Sequence, residues 1–477
     1  ALSGGGIWIP DNHDMPKAGL RDSIEVAFGY VKACAQGLAS DDRVLAYVET
    51  ARHMARYLAQ IGVPYRCMPH YSDYYPNVQG ALPGGRTMDP LDFNAARLGL
   101  EGLALLRPTN PGQLIFGRMH INAFQARSML ARERKAKWML MGIMARYFLD
   151  YPWRSKTRRD RRLTGGQALV GGLLAALRQR KIALWLDTPM ESLTTDAGRV
   201  TGVVVRKDGQ ALRLQARKAV ILGAGGFERN QAMREQYLPQ PTNQAWTSTP
   251  PDANTGDTIR AGAAVGGKLH LMAHTWGVPT LDVPKEEKFR PLFVERSLPG
   301  CMVVNARGER FLNESGPYPE FQQAMYANHA KTGGAIPAWI VFDATFRANY
   351  PMGPLMPATA VPDSRLRKSW LGKVYWKGET LPELAAEIGV DVFDRYYGDV
   401  NVKPNPNLAP IQKGPFYAIR LFPGDIGTKG GLLTDRDARV LDEAGKVIEG
   451  LYCVGNNSAS VMGPAYPGAG STLGPAM

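Results

Sequence analysis

Residues 455–477 read Gly-Asn-Asn-Ser-Ala-Ser-Val-Met-Gly-Pro-Ala-Tyr-Pro-Gly-Ala-Gly-Ser-Thr-Leu-Gly-Pro-Ala-Met, a composition that neither ordinary helix nor strand accommodates. Gly, Pro, Asn and Ser at this density break both hydrophobic periodicities. Such a backbone is shaped around a ligand, and a helix is expected to open near its end. The stretch follows directly on the apolar run Gly450-Leu451-Tyr452-Cys453-Val454. A second run, Ala219-Val220-Ile221-Leu222, leads in the same way into Gly223-Ala224-Gly225-Gly226. In open α/β sheets ligands sit at the carboxyl ends of strands. Glycine at that point lets backbone N–H groups approach a phosphate or a flat ring. The run 219–222 is apolar throughout, the pattern of a strand buried on both faces.

Around these elements the pattern is α/β. Ile7-Trp8-Ile9-Pro10 is strand-like. Asp41 and Asp42 read as N-caps of a helix whose Val44, Val48, Ala51, Ala55 and Leu58 share one face, with Gly62 as its stop. A Tyr-, Pro- and Gly-rich loop spans residues 70–86. Thr164-Gly165-Gly166 opens a helix through Leu169, Leu173 and Leu177, and residues 182–186 read as a strand. Asp208-Gly209 between two apolar runs is a hairpin signal. Residues 277–412 are richer in Pro and aromatics and read as an inserted unit. The division expected is 1–276 and 413–477 for one domain and 277–412 for the other.

The formal net charge is +14. No zinc finger, RNA-binding signature or basic repeat is present, which excludes nucleic acid as the partner. Arg154, Lys156, Arg158, Arg159, Arg161 and Arg162 form the densest basic run, just after an apolar stretch at 138–148. Together they fit a peripheral membrane-touching edge, and equally a core helix followed by a solvated turn. Cys34, Cys67, Cys301 and Cys453 are widely spaced, and the histidines show no ligand spacing, so neither a metal site nor a disulfide framework is expected. Reduced cysteines and the lack of a recognisable leader suggest a cytoplasmic protein.

Taken together, these motifs resemble the 3-ketosteroid Δ1-dehydrogenases, in the flavoprotein class that includes fumarate reductase and succinate dehydrogenase. The resemblance covers nearly the whole chain. It rests on residues 1–8, Gly85-Arg86, Gly165-Gly166, residues 223–228, Asn254-Thr255-Gly256-Asp257, Gly308 with Arg310-Phe311, Asn313-Glu314-Ser315, residues 427–432 and the terminal stretch. Tyr466-Pro467-Gly468-Ala469-Gly470 and the Asn-Glu-Ser-x-Pro-Tyr ending at Tyr318 are its steroid-specific part.

The resemblance implies a Rossmann-like FAD-binding domain with an inserted α+β catalytic domain. FAD would lie against Ser3, Gly4, Gly5, Gly6, Gly223, Ala224, Gly225, Asn254, Asp257, Gly455, Asn456, Ser471 and Leu473. The substrate implied is a 3-keto steroid, with an unidentified electron acceptor. Tyr466 and the Gly470 N–H would bind the C3 carbonyl, Tyr318 would take the C2 proton, and Tyr74 would support Tyr318. The family begins with a strand and a G-x-G-x-x-G turn. Here residue 1 already lies beyond that motif, no helix follows Met477, and a helical segment is lacking near Val390-Asp391. A longer protein whose N-terminal βαβ unit is missing here is therefore expected, with an unpaired sheet edge. The alternative is a related flavoprotein acting on another substrate such as fumarate, with Arg86, Arg290 and Arg296 available as carboxylate clamps.

Overall fold

The structure is a computed structural model that describes residues 3–131, 133–389 and 411–477. The expected irregularity at Val390-Asp391 lies outside them. The two strand-to-glycine elements lie side by side. Strand Val220–Leu222 pairs in parallel with Val447–Cys453, Leu222 opposite Cys453, so Gly223 and Val454 leave the sheet together. Arg439–Leu441 pairs antiparallel on the far side, which leaves Val220–Leu222 at the edge.

Burial on both faces is not observed for this strand: Ile221 is 67% exposed, because no described element covers its outer face. Residues 182–186 form no strand either. Ile182, Leu184, Trp185 and Leu186 are exposed, with no neighbouring ladder among the described residues to pair them. The hairpin is where the turn chemistry places it. Arg199–Lys207 pairs with Gln210–Gln215, and Asp208 and Gly209 both take positive φ, 50° and 78°, as a type I′ turn demands.

The N-terminal strand Ile7–Trp8 packs beside Thr87–Pro90, which also pairs with Tyr65–Cys67. Helix Asp41–Gln60 turns Val44, Val48, Ala51, Ala55 and Leu58 into the main core. Its N-cap is Ser40, in extended conformation, and Asp41 and Asp42 occupy the first turn. There they serve the positive end of the helix dipole instead of capping it. Helix Gly165–Gln179 begins one residue after Thr164, and Gly166 N–H donates to the Ser3 carbonyl.

A six-stranded antiparallel sheet builds the second half. Its long strand, Phe416–Thr428, is bonded to Thr275–Leu281 and to Ala338–Phe342, so the sheet runs past both ends of the 277–412 segment. Helix Tyr318–Thr332 lies on this sheet with Phe321 and Met325 buried. Gln322 Nε2 ties it to the Gly424 carbonyl at 2.8 Å. Tyr318, its first residue, thus stands at the boundary between the halves.

A buried ion cluster fixes the residue that precedes Tyr74. Arg86 donates to Asp73 at 2.7 Å and to both carboxylate oxygens of Asp22 at 2.7 and 2.8 Å, with all three side chains at most 2% exposed. Asp73 also accepts from Trp8 Nε1 at 2.8 Å. Removing the one cation strands two buried carboxylates. Arg86→Met is expected to cost about 3–5 kcal/mol, read as a marked fall in the thermal unfolding midpoint. A midpoint matching the parent protein would show that the cluster is not a brace.

Candidate active site

The terminal loop is buried although it is irregular, and side chains satisfy its backbone. The Tyr30 hydroxyl donates to the Pro467 carbonyl at 2.7 Å and Thr87 Oγ1 to the Ala469 carbonyl at 3.0 Å. Lys429 Nζ donates to the carbonyls of Gly463, at 3.1 Å, and of Ala465. The Tyr466 N–H donates to Tyr75 Oη at 3.2 Å. Gly470 has φ +100°, and a Cβ there would sit 2.4 Å from the carbonyl carbon of Ile7. Only glycine fits at this position. The helix expected near the chain's end is a run of turns, with Gly474 N–H bonded to the Gly470 carbonyl at 2.8 Å.

Three phenols from remote parts of the chain meet at this loop. Tyr74 comes from the 70–86 loop, Tyr318 from the first turn of its helix, and Tyr466 from the terminal loop. The Tyr74 and Tyr318 hydroxyls are 2.8 Å apart. Ring centroids stand 5.1 Å apart for Tyr74–Tyr318, 5.6 Å for Tyr74–Tyr466 and 5.7 Å for Tyr318–Tyr466. Burial pushes Tyr318 and Tyr74 well above the ordinary tyrosine range. Either hydroxyl can donate in the hydrogen bond they share. Burial also raises Tyr466, which the Thr472 hydroxyl and the Gly470 backbone N–H ease downward. A cavity of about 300 Å³ opens against this cluster, lined by Tyr71, Tyr74, Phe293, Arg296 and Tyr318 among others.

The residues expected at a cofactor fall into an open edge and a supporting layer. Ser3, Gly4, Gly223 and Ala224 are exposed. A Cβ on Gly4 would meet nothing within 4 Å, and one on Gly223 would touch only a Val454 methyl at 3.4 Å. Gly5 and Gly225 are the tight positions: a Cβ would lie 2.4 Å from Gly165 C and from Asn254 Oδ1 respectively. Gly6 and Leu473 are half-buried beside them, and Gly455 turns with φ +65°. Asn456 Oδ1 accepts from Trp276 Nε1 at 3.0 Å, and Trp276 stacks edge-on to Tyr466 at 5.1 Å.

Not every expected side chain faces that edge. Ser471 Oγ is used inside the loop, donating to the Gly468 carbonyl at 2.7 Å. Asn254 Nδ2 donates to Glu228, whose pKa burial raises to about 7. Asp257 is exposed and ion-paired with Arg260 at 2.6 Å. The exposed glycines and unencumbered backbone at the ends of two parallel strands fit a long cofactor such as FAD, laid along the sheet edge.

Sequence reasoning missed Trp276, Lys429 and Thr472 as members of the site. Lys429 stood inside the quoted 427–432 motif, but nothing in that motif says that its ammonium reaches back to the terminal loop. Arg296 was read only as a carboxylate clamp, and it lies instead over the Tyr318 ring, 4.9 Å from the centroid.

Residues 1–473 match the family described as FAD binding domain. The 3-oxosteroid 1-dehydrogenase of Comamonas testosteroni is 54% identical over 100% of this chain and 88% of its own. The crystal structure of 3-ketosteroid Δ1-dehydrogenase from Sterolibacterium denitrificans, in complex with 1,4-androstadiene-3,17-dione, superposes with a TM-score of 0.94. It is 55% identical, over 100% of this chain and 90% of that one. A flavocytochrome c3 fumarate reductase shares the fold at 18% identity and a TM-score of 0.62, over 99% of this chain and 68% of its own. The chain therefore belongs to the FAD-binding flavoproteins of the fumarate reductase class and, within them, to the 3-ketosteroid Δ1-dehydrogenase family.

Proposed function

We propose that the chain removes two hydrogens from C1 and C2 of a 3-keto steroid, with FAD as the acceptor, through the three tyrosines and Gly470. The observation that carries this reading is the meeting of three phenols, Tyr318 and Tyr466 buried and Tyr74 half-buried, beside a backbone position that only glycine can occupy. The Tyr466 hydroxyl and the Gly470 N–H grip the C3 oxygen as two donors. Two donors on one oxygen stabilise the enolate and so acidify the neighbouring C2–H. Tyr318, with Tyr74 hydrogen-bonded to it, takes the C2 proton. FAD, when bound, supplies the two-electron acceptor for the hydride that leaves C1. This chain's part is to place the ketone, hold the proton acceptor and keep water out.

A Rossmann-like FAD-binding domain over 1–276 and 413–477, interrupted by a catalytic unit at 277–412, is the division that goes with this reading. The N-terminal βαβ unit of the class would cover the edge strand Val220–Leu222. FAD would run from Ser3–Gly6 past Gly223–Gly225 to Gly455–Asn456. The dicarboxylate alternative fares worse. Arg86 is locked between two aspartates, and Arg290 is bound to Glu286 and to the Gly353 carbonyl at 3.0 Å.

The peripheral membrane edge also belongs here. Helix Ala136–Leu149 buries only Ile143 and Tyr147 and exposes Trp138, Met141, Phe148 and Leu149. It is therefore no core helix, and exposed Lys135, Lys137, Lys156, Arg158 and Arg161 surround it. Apolar tips ringed by cations suit an anionic lipid surface. Among the described residues no helix is long and apolar enough to cross a membrane. The four cysteines are buried and unpaired, which suits the cytoplasmic side.

Androst-4-ene-3,17-dione is expected to bleach the flavin absorbance of the FAD-loaded protein, and a spectrum that stays unchanged would exclude the reaction. Tyr318→Phe is expected to keep flavin and steroid binding while kcat falls about 10²–10⁴-fold. Tyr466→Phe, which removes one of two donors, is expected to lower kcat about 10²–10³-fold. Replacing Trp138 and Phe148 together by Ser should abolish co-sedimentation with anionic vesicles and leave turnover of dissolved steroid intact. Equal sedimentation of parent and variant would remove the membrane edge from the reading.

A further inference from the structure

A phenol that accepts a proton from carbon does so best as the phenolate, and the surroundings of Tyr318 are mostly hostile to that charge. Burial opposes it, and Tyr71 and Tyr466 oppose it further. Tyr74 favours it through its hydroxyl at 2.8 Å. The remaining favourable group is Arg296, whose guanidinium carbon lies 4.9 Å from the Tyr318 ring centroid and 5.4 Å from that of Phe321.

Arg296 sits in the short turn Glu295–Ser297 of the inserted unit and is 2% exposed. Its Nη1 donates to the Glu314 backbone carbonyl, and its Nε has no hydrogen-bond partner among the described residues. The Glu314 carboxylate is not its partner, being bound to Arg310 and to the Val303 N–H at 2.8 and 2.9 Å. Buried arginines are ordinarily matched by a carboxylate, and none of the described residues provides one here. Arg296 thus faces aromatic rings, with the Tyr318 ring uppermost.

We infer that Arg296 is the positioning cation of the proton acceptor: its unmatched guanidinium is the counter-charge of the Tyr318 phenolate. The inference rests on Tyr318 being the group that takes the C2 proton. Burial disfavours the charge on Arg296, and among the neighbours that restore it Tyr318 comes first, ahead of Tyr74, Cys301 and Glu295. The two groups thus stabilise each other's charged forms. The guanidinium thus offsets part of the cost that burial places on the Tyr318 phenolate. After proton transfer the guanidinium stays charged above a neutral phenol, an arrangement that favours return of the proton to solvent and readiness for the next turnover.

The test is the pH profile of kcat/KM in the FAD-loaded protein. Arg296→Gln keeps an N–H donor for the Glu314 carbonyl and removes the charge, whereas Arg296→Lys keeps the charge. Without the cation the Tyr318 hydroxyl ionises at higher pH, so the rising limb of the R296Q profile is expected to move up by about one pH unit or more. R296K is expected to restore it to within a few tenths of a unit. Ultraviolet titration of tyrosinate should show the same displacement, and it should vanish in a Tyr318→Phe background. A uniform loss of activity with an unmoved limb would overturn the inference and make Arg296 merely structural. Should R296Q fail to fold, Arg296→Met, which keeps the length of the side chain and removes its charge, decides in its place: a rising limb displaced upward by about one pH unit supports the pairing, and an unmoved limb overturns it. Full activity in Tyr318→Phe would instead overturn the assignment of the base, a separate result.

Discussion

The whole site depends on burying an irregular loop without leaving its backbone polar groups unpaired. An unsatisfied carbonyl or N–H in a dry interior costs about 1–3 kcal/mol. Residues 459–470 would accumulate several such costs. Instead Arg43 reaches the Ala459 carbonyl, Lys429 those of Gly463 and Ala465, Tyr30 and the Tyr74 N–H that of Pro467, and Thr87 that of Ala469. These partners come from a helix, a β-strand end, another helix, a loop and a strand. The loop is therefore as rigid as the elements that clamp it. Tyr466 and Gly470 inherit their positions from that clamping, and no regular structure of their own is required.

How much of this could be read from the chain follows from what kind of information each part carries. The Asp208-Gly209 hairpin was legible because a type I′ turn makes a local demand on φ that few residues meet. The helix face from Val44 to Leu58 was legible because burial has the period of the helix itself. The two strand-to-glycine elements were legible as strands, but not the loss of cover over Ile221. Whether a strand has neighbours on both sides is a property of the rest of the sheet. The 182–186 run failed for the same reason: its residues favour a strand, and no partner among the described residues accepts the ladder. At the site, Tyr466 and Gly470 were marked by their glycine-rich setting. Tyr318 and Tyr74 needed the family resemblance, since a phenol's partner 244 residues away leaves no trace in local composition.

Three long basic residues surround the tyrosines, and their different pairings explain their different work. Arg86 lies between two carboxylates, with Trp8 and Tyr30 rings 5.3 and 5.2 Å away. Its charge is cancelled locally, so it can fix the Tyr74 loop through Asp73 without perturbing the phenols. Among the described residues Lys429 has no acid beside it, and burial drives its pKa well below the ordinary lysine range. It therefore serves as a hydrogen-bond donor under the loop, with the Trp276 ring 4.2 Å from its Nζ. A lysine can discard its proton when buried; an arginine in practice cannot. Arg296 is buried almost as deeply and keeps a charge that no carboxylate among the described residues cancels. A residue type that cannot neutralise itself, placed over the ring that must become an anion, converts an otherwise unfavourable burial into electrostatic support for the reacting group.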